Sequence, residues 1–256
     1  MTAHSVKNAL AERFFRIPQT VRNSALGLLL LLTAVIGTVV FGNIVEHIPP
    51  LVAFDRFFYE LINLGPHPAW LNTLVAPFNF NFLPWGGTLI PSFLYFVFGF
   101  GLIYIAIRHR RDFLWACLGV ALAIAIDIAL YRITNAYVVR DRPFVHLPNN
   151  LTDQMKAIWS TWPTYPSGHV RDMALYSTVV AGFAKELRWP FAIFTLWIVF
   201  TRLYLGAHYP TDCLAGWALG YFVGVAILLV LKSLQKLYVD WRQKDTGEES
   251  KASLTI

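Results

Sequence analysis

Three short polar clusters stand out in a chain of 256 residues that is 56% hydrophobic and only 14% charged. The last cluster holds Arg202, His208 and Asp212. His208 and Asp212 are four residues apart, so they share a face if a helix has begun by Tyr209. An aspartate that holds one imidazole nitrogen leaves the other nitrogen available as a nucleophile or base. A nearby guanidinium suits an anionic oxygen group.

The other two clusters add donors of the same kind. Pro166 and Ser167 lead into Gly168 and His169, at the predicted start of a helix whose free amides and positive dipole end attract anions. The Ser167 hydroxyl can cap that helix or donate to a phosphate oxygen, and His169 can protonate a leaving oxygen. Arg142 supplies a further bidentate donor. These residue types together indicate transfer of a phosphoryl group.

The elements that must position these clusters are membrane-spanning helices. A hydrocarbon layer about 30 Å thick needs roughly 20 apolar helical residues. Charged residues are too few to cover a water-facing surface, because a soluble domain carries roughly 25% of them. The sequence predicts an all-α bundle of six transmembrane helices. These spans are residues 24–45, 87–107, 113–137, 167–184, 190–205 and 209–231.

The basic residues set the expected orientation. Fourteen of the 21 Lys and Arg residues fall on the side that holds both chain ends, which predicts cytoplasmic termini. The net charge of +6 is therefore a topology signal, and no nucleic-acid partner is expected. All three clusters fall on the outer side. The first outer loop, residues 46–86, combines an amphipathic stretch (51–64) with an aromatic run (77–82), so we expect a short interfacial helix in it.

The domain organisation is simple. Residues 1–240 are expected to form a single membrane-embedded domain, and residues 241–256 a polar cytoplasmic tail. Two cysteines cannot staple a chain of this length, which excludes a disulfide scaffold. The many aromatic residues exclude a disordered protein.

The three clusters resemble the signature of the type 2 phosphatidic acid phosphatase superfamily, the lipid phosphate phosphatases, in its membrane-integral bacterial branch. That signature is a lysine, six residues and Arg-Pro; then Pro-Ser-Gly-His; then Ser-Arg, five residues, His, three residues and Asp. Arg142 with Pro143, residues 166–169, and Arg202 with its two partners match it in type, order and spacing. The resemblance covers roughly residues 135–213.

The resemblance implies a role for each matching residue. His208 corresponds to the nucleophile that forms a phosphohistidine, Asp212 orients it, and His169 is the general acid. Four residues correspond to the phosphate-binding groups. They are Arg142, Ser167, Gly168 and Arg202. The resemblance implies neither a metal nor another cofactor, since arginines and amides supply the electrostatic stabilisation.

Two positions depart from the family pattern. Asn135 stands where the family has its lysine, and Thr201 replaces the serine before the arginine. Asn135 keeps hydrogen-bonding capacity and loses a positive charge. Arg132, Arg140 and Arg171 are candidates to replace that charge, with Arg140 and Arg171 preferred and no choice made between them.

Two acids near the clusters have open interpretations. Asp127 lies inside the third predicted span, where an unpaired charge marks a function, or it belongs to a hydrogen-bonded stripe with Tyr131 and Asn135. Asp172 follows His169 by three residues. It either orients that histidine or is an acid favoured by the helix dipole.

The expected function is hydrolysis of a lipid phosphate monoester or diphosphate in a bacterial inner membrane, with the site on the periplasmic side. Undecaprenyl diphosphate is the first choice of substrate; phosphatidylglycerol phosphate, phosphatidic acid and lipid A phosphate are the others. The expected partners are this substrate and membrane lipids, and the oligomeric state stays open. The alternatives are a lipid phosphotransferase with the same site, a non-catalytic phospholipid binder or transporter, and a haem-binding membrane protein.

Overall fold

A computed structural model of the chain describes residues 18–75, 92–151, 156, 160 and 164–252. Within these ranges the chain is all-helical and contains no β-strand. The predicted aromatic run at 77–82 lies outside them. The helices, in chain order, are α1 Gln19–Ile44, α2 Pro49–Asn63, α3 Ala69–Val75, α4 Ser92–Arg108, α5 Phe113–Tyr137, α6 Pro143–His146, α7 Gly168–Phe183, α8 Arg188–Tyr204 and α9 Pro210–Ala252. Short 3₁₀ turns at Val45–His47 and Lys185–Leu187 extend α1 and precede α8.

Three segments of the described chain are long and apolar enough to cross a membrane. They are Gln19–His47, Phe113–Tyr137 and Pro210–Gln243, which correspond to the first, third and sixth predicted spans. Val97–Arg108 is a shorter apolar helix, and α7 and α8 have 16 and 17 residues. The six-span count therefore stays a prediction.

Helix α7 forms the centre of the bundle. It contacts α4, α5, α8 and α9, and α9 also packs along α1. Most residues of α7 are buried, including Met173, Leu175 and Val179. Because α7 is surrounded by other helices, its neighbours hold its position and that of the loop before it.

A row of glycines on α9 lets α7 approach closely. A Cβ on Gly216 would lie 2.6 Å from the carbonyl oxygen of Ser167, and a Cβ on Gly224 would lie 2.8 Å from the Cβ of Thr178. Gly220 lies between them, against the backbone of α7 at Arg171. Small residues every fourth position allow close helix contact in membranes. We call this contact, from Gly216 to Gly224, the glycine seam.

Helix α2 lies within the predicted amphipathic stretch and buries its polar face. Asp55, Tyr59 and Asn63 are buried, whereas Phe57 and Leu61 are about 60% exposed. The buried face contacts α8 and α9. An exposed apolar face of this kind is typical of a surface that contacts a membrane or a partner. The interfacial position of α2 stays a prediction.

The turn between α8 and α9 depends on one glycine. Gly206 has φ +66°, in the left-handed region that other residues rarely adopt. A Cβ there would also lie 2.8 Å from Nδ2 of Asn63 on α2. The glycine therefore allows a sharp turn pressed against α2, and His208 lies two residues after Gly206.

Candidate active site

The three polar clusters meet at one end of the bundle. Ser167 is the N-cap residue of α7, and its backbone N–H donates to the carbonyl oxygen of Asp212 at 3.0 Å. Arg142 precedes α6 and donates to the carbonyl oxygen of Ala207 at 2.7 Å. Segments that are far apart in the sequence are thus held side by side around His208.

The imidazole of His208 is oriented by a residue outside the predicted clusters. Its Nδ1 lies 2.7 Å from the carbonyl oxygen of Thr164 and 3.8 Å from Oδ2 of Asp212, which is beyond hydrogen-bond distance. A carbonyl oxygen can only accept, so Nδ1 carries the proton and Nε2 has a free lone pair. Helix α9 begins at Pro210, so His208 precedes the helix instead of sharing its face.

Asp212 is fully buried and held by several donors. Its Oδ2 accepts from the Thr164 hydroxyl at 2.9 Å and from the backbone N–H of Tyr209 at 2.9 Å. Its Oδ1 accepts from Arg140. Thr164 therefore contacts both His208 and Asp212, and the carboxylate is fixed close to the ring that would become positive after attack on phosphorus.

The surroundings keep His208 neutral. Burial lowers the pKa of its imidazole to about 4; Arg142 acts in the same direction and Asp212 opposes both. An imidazole with this pKa is unprotonated at neutral pH and can act as a nucleophile.

Two buried arginines lie beside the histidines. Arg142 and Arg202 are 8% and 2% exposed, and they are close enough to repel one another. Both also act on His208 and His169. Burial lowers the pKa of Arg142 to about 10, which leaves it charged at neutral pH. Two adjacent buried cations create a favourable place for a phosphate.

Ser167 and His169 direct polar atoms into the same region. The Ser167 hydroxyl makes no capping hydrogen bond to α7. Within the described chain, its Oγ and Nε2 of His169 are buried without a hydrogen-bond partner. Unsatisfied buried polar atoms are rare in folded proteins. Together with the first amides of α7, which begins at Gly168, they form a cradle that a phosphate would satisfy.

Arg140 is held by acids instead of lying open to a substrate. It donates to Oδ2 of Asp55 at 2.7 Å, to Oε1 of Glu46 at 3.1 Å and to Asp212. It also donates to the Thr211 hydroxyl at 2.8 Å. The structure therefore makes Arg140 a connector between α2 and α9.

Arg171 has similar surroundings. It donates to Asp127 at 2.6 and 3.1 Å and to Asp172 at 3.2 Å. Asp127 thus pairs with an arginine of α7, and Asp172 contacts Arg171. Asn135 is half-buried in the last turn of α5. Pairing of both arginines with carboxylates argues against either one replacing the family lysine.

Two residues of this site, Thr164 and Asp55, belong to no recognisable sequence pattern. Thr164 precedes the Pro-Ser-Gly-His cluster and works partly through its backbone carbonyl, which any residue carries. Asp55 lies 156 residues from Thr211, whose backbone N–H and hydroxyl donate to it at 2.8 and 2.6 Å. Neither contact has a local pattern that reveals it.

Within the described residues, no group of three or more His, Cys, Asp and Glu side chains is arranged to hold a metal ion.

Comparison with known proteins finds similarity to a superfamily and to named phosphatases. Residues 115–236 match the PAP2 superfamily. Lipid A 1-phosphatase of Rhizobium johnstonii is 31% identical over 71 residues, which are 28% of this chain and 29% of that protein. Undecaprenyl-diphosphatase of Sulfolobus acidocaldarius is 25% identical over 140 residues, 48% of this chain and 66% of that protein. Each match covers less than two thirds of the relative.

A solved structure has a similar fold. It is the crystal structure of a transmembrane PAP2 type phosphatidylglycerolphosphate phosphatase from Bacillus subtilis. The TM-score is 0.51 at 17% sequence identity, and the alignment covers 84% of this chain and 96% of that chain. The likeness extends over most of the helical bundle.

Proposed function

We propose that this chain, whose residues 115–236 match the PAP2 superfamily, is a metal-independent membrane phosphatase that hydrolyses a lipid phosphate through a phosphohistidine on His208. One observation carries this proposal. The Thr164 carbonyl holds Nδ1 of His208 at 2.7 Å, so Nε2 is free for attack beside Arg142 and Arg202.

The first step is attack by Nε2 of His208 on phosphorus. A nitrogen–phosphorus bond forms as the bond to the lipid oxygen breaks, and His169 donates its proton to the departing oxygen. Arg142, Arg202, Ser167 and the first amides of α7 stabilise the phosphoryl oxygens. Asp212 stabilises the positive ring of the intermediate.

The second step restores the enzyme. His169, now neutral, accepts a proton from water as that water attacks the phosphohistidine. The nitrogen–phosphorus bond breaks, inorganic phosphate leaves, and His169 is protonated again. The same residue therefore acts first as acid and then as base.

An apolar groove next to the site supports a lipid substrate. Its volume is about 870 Å³, and it runs between α2, α7, α8 and α9. Pro210 and Cys213 line its end near the catalytic residues, and Leu228 lines the far end. Eighteen residues of helix span about 27 Å, close to the ~30 Å of a hydrocarbon layer. The hydrocarbon part of a bound lipid fits such a groove.

Undecaprenyl diphosphate remains the first choice of substrate, with phosphatidylglycerol phosphate, phosphatidic acid and lipid A phosphate as the other candidates. Relatives named undecaprenyl-diphosphatase and lipid A 1-phosphatase support undecaprenyl diphosphate and lipid A phosphate among these candidates. The proposal includes six spans, cytoplasmic termini, an interfacial α2 and a periplasmic site in the inner membrane. The catalytic unit is residues 1–240.

The test is phosphate release from these four lipids by the full chain in detergent, with and without a chelator. We expect release from at least one of them, unchanged by the chelator. His208→Ala should abolish release, whereas His47→Ala, which changes an exposed histidine, should leave it unchanged. Loss of activity on chelation, or full activity of His208→Ala, would contradict the proposed mechanism.

The acceptor of the phosphoryl group separates hydrolysis from transfer. A phosphatase releases inorganic phosphate into buffer that contains no lipid acceptor. Release that requires an added lipid alcohol would instead identify a phosphotransferase. Lipid binding with no reaction under either condition would identify a non-catalytic binder.

A further inference from the structure

Asp55 on α2 is a buried acid that belongs to none of the three sequence clusters. It is 2% exposed. Oδ2 accepts from Arg140 at 2.7 Å and from the Thr211 hydroxyl at 2.6 Å, and Oδ1 accepts from the Thr211 backbone N–H at 2.8 Å. Each of these donors comes from a segment far from α2 in the chain.

These contacts continue to the nucleophile. Arg140, whose side chain is 3% exposed, bridges Asp55 to Asp212. Asp212 accepts from Thr164, and the carbonyl of Thr164 accepts from His208. Each link is buried, so each is stronger than the same contact in water. The path from Asp55 to His208 therefore consists of direct contacts throughout.

We propose that Asp55 is a positioning residue, which holds Arg140 and through it fixes Asp212 beside His208. This inference rests on the proposed phosphatase function. Asp55 contacts neither His208 nor the arginines of the phosphate cradle in the described contacts, so its effect is on turnover rather than on substrate binding. A displaced catalytic group costs rate without any change in the groups that bind substrate.

The position of Asp55 gives α2 a part in catalysis. The opposite face of α2 exposes Phe57 and Leu61. The position of α2 therefore determines how Asp55 contacts Arg140, and through Arg140 it also affects the placement of Asp212 beside His208.

The charge of Asp55 has a second effect, on His208. Described groups that act on this imidazole are Asp212 on α9, Arg142 before α6, Arg202 on α8 and His169 on α7. A negative charge nearby favours the protonated ring. Asp55 also balances the positive charge of Arg140. Without the charge of Asp55, His208 should become harder to protonate.

The experiment compares Asp55→Asn with wild type in phosphate release. We expect kcat to fall about 10- to 100-fold with KM within twofold, and Asp55→Glu to recover part of the rate. The matched control is Glu60→Gln, which removes an acid from the same helix where it pairs with exposed Arg56. It should behave as wild type.

The pH profile distinguishes a positioning role of Asp55 from a general loss of packing around the site. In Asp55→Asn the acid limb of kcat/KM should move to lower pH, because a negative charge has been removed. A loss of packing would admit water to His208 and move the acid limb upward, toward the ordinary histidine pKa of about 6.5. A limb that moves upward, or a kcat equal to wild type, would overturn the proposal.

A second variant protects the test against misfolding. Thr211→Val keeps both charges and removes the hydroxyl that contacts Arg140 and Asp55. We expect a several-fold fall in kcat with an unshifted acid limb; an unchanged kcat would overturn the proposal. If wild type releases no phosphate from any lipid, the proposed function fails; if wild type is active and the variants match it, only this inference fails.

Discussion

Four buried arginines of this bundle fall into two pairs with different surroundings. Arg140 and Arg171 each contact at least two carboxylates. The contacts of Arg142 include the carbonyl oxygen of Ala207, and those of Arg202 include the Thr201 hydroxyl; the like charges of these two arginines also act on each other.

The difference separates two uses of the same side chain. An arginine balanced by acids joins helices, because removing either partner leaves a buried charge. Two arginines placed next to each other beside a buried serine hydroxyl attract an anion from outside the protein. The residue type alone does not distinguish the two pairs, whereas their contacts do.

The largest expected effect on turnover comes from a change in the pair Arg142 and Arg202. Arg202→Ala should lower kcat/KM for lipid phosphate about 100- to 1,000-fold, because a donor to the transition state is lost. Thermal unfolding in detergent should change little. Arg56→Ala, which removes an exposed arginine, is the control. A rate within a few-fold of wild type would remove Arg202 from the phosphate cradle.

A change in the other pair, Arg140 and Arg171, should lower stability more than it lowers turnover. Arg171→Met leaves the partly buried carboxylates of Asp127 and Asp172 without their cation, which costs up to about 3–5 kcal/mol of stability. We expect a lower midpoint of denaturation, with activity per folded molecule reduced far less than in Arg202→Ala. Asp127→Asn added to Arg171→Met should recover part of the stability. Unchanged stability with abolished turnover would reverse the assignment of the two pairs.

A smaller effect tests the groove, away from any charge. Ala192 lines it on α8, and Ala192→Trp should raise KM for a long-chain lipid phosphate about tenfold, since a lost apolar contact of 1.4 kcal/mol is tenfold in affinity. Hydrolysis of a water-soluble short-chain phosphate should not change. Ile193→Trp, at the neighbouring exposed position, is the matched control. Equal effects on both substrates would exclude the groove as the lipid site.

The smallest effect is a shift in pH dependence. Because burial holds the pKa of His208 at about 4, kcat/KM for a soluble phosphate should fall as the pH drops through that value and protonates the nucleophile. Arg142→Gln removes a nearby positive charge, so the acid limb should move to higher pH. Arg171→Gln should leave it in place. A wild-type limb near pH 6.5 would show that His208 is more hydrated than the structure indicates.

Much of the architecture could be read from apolar runs. The predicted span at 24–45 falls within α1 and the 3₁₀ turn that extends it, the span at 113–137 coincides with α5, and the predicted start at 167 is one residue before α7 begins. Length and hydropathy decide such elements locally. The span count depends additionally on segments 76–91, which lie outside the described residues, and on helices of 16 and 17 residues.

The site could be predicted as far as its residues form local patterns. Motif spacing brought His208, His169 and the arginine pair to attention, and the structure places them together. Motif spacing could not reveal that Thr164 holds Nδ1 of His208, since the contact uses a backbone carbonyl. Nor could it distinguish Arg140 from Arg142, two residues apart, because their partners come from α2 and from the turn before α9.

The glycine seam has a consequence for related sequences in which one of its glycines is replaced. Gly216 and Gly220 touch α7 at Ser167 and Arg171, one turn or less from the groups proposed to hold phosphate and protonate the leaving oxygen. A single added methyl group on α9 would widen the gap between the two histidines while every catalytic side chain remained present. Sequences that keep all three motifs but lose a seam glycine are therefore expected to encode folded, inactive proteins, which a motif search alone would count as enzymes.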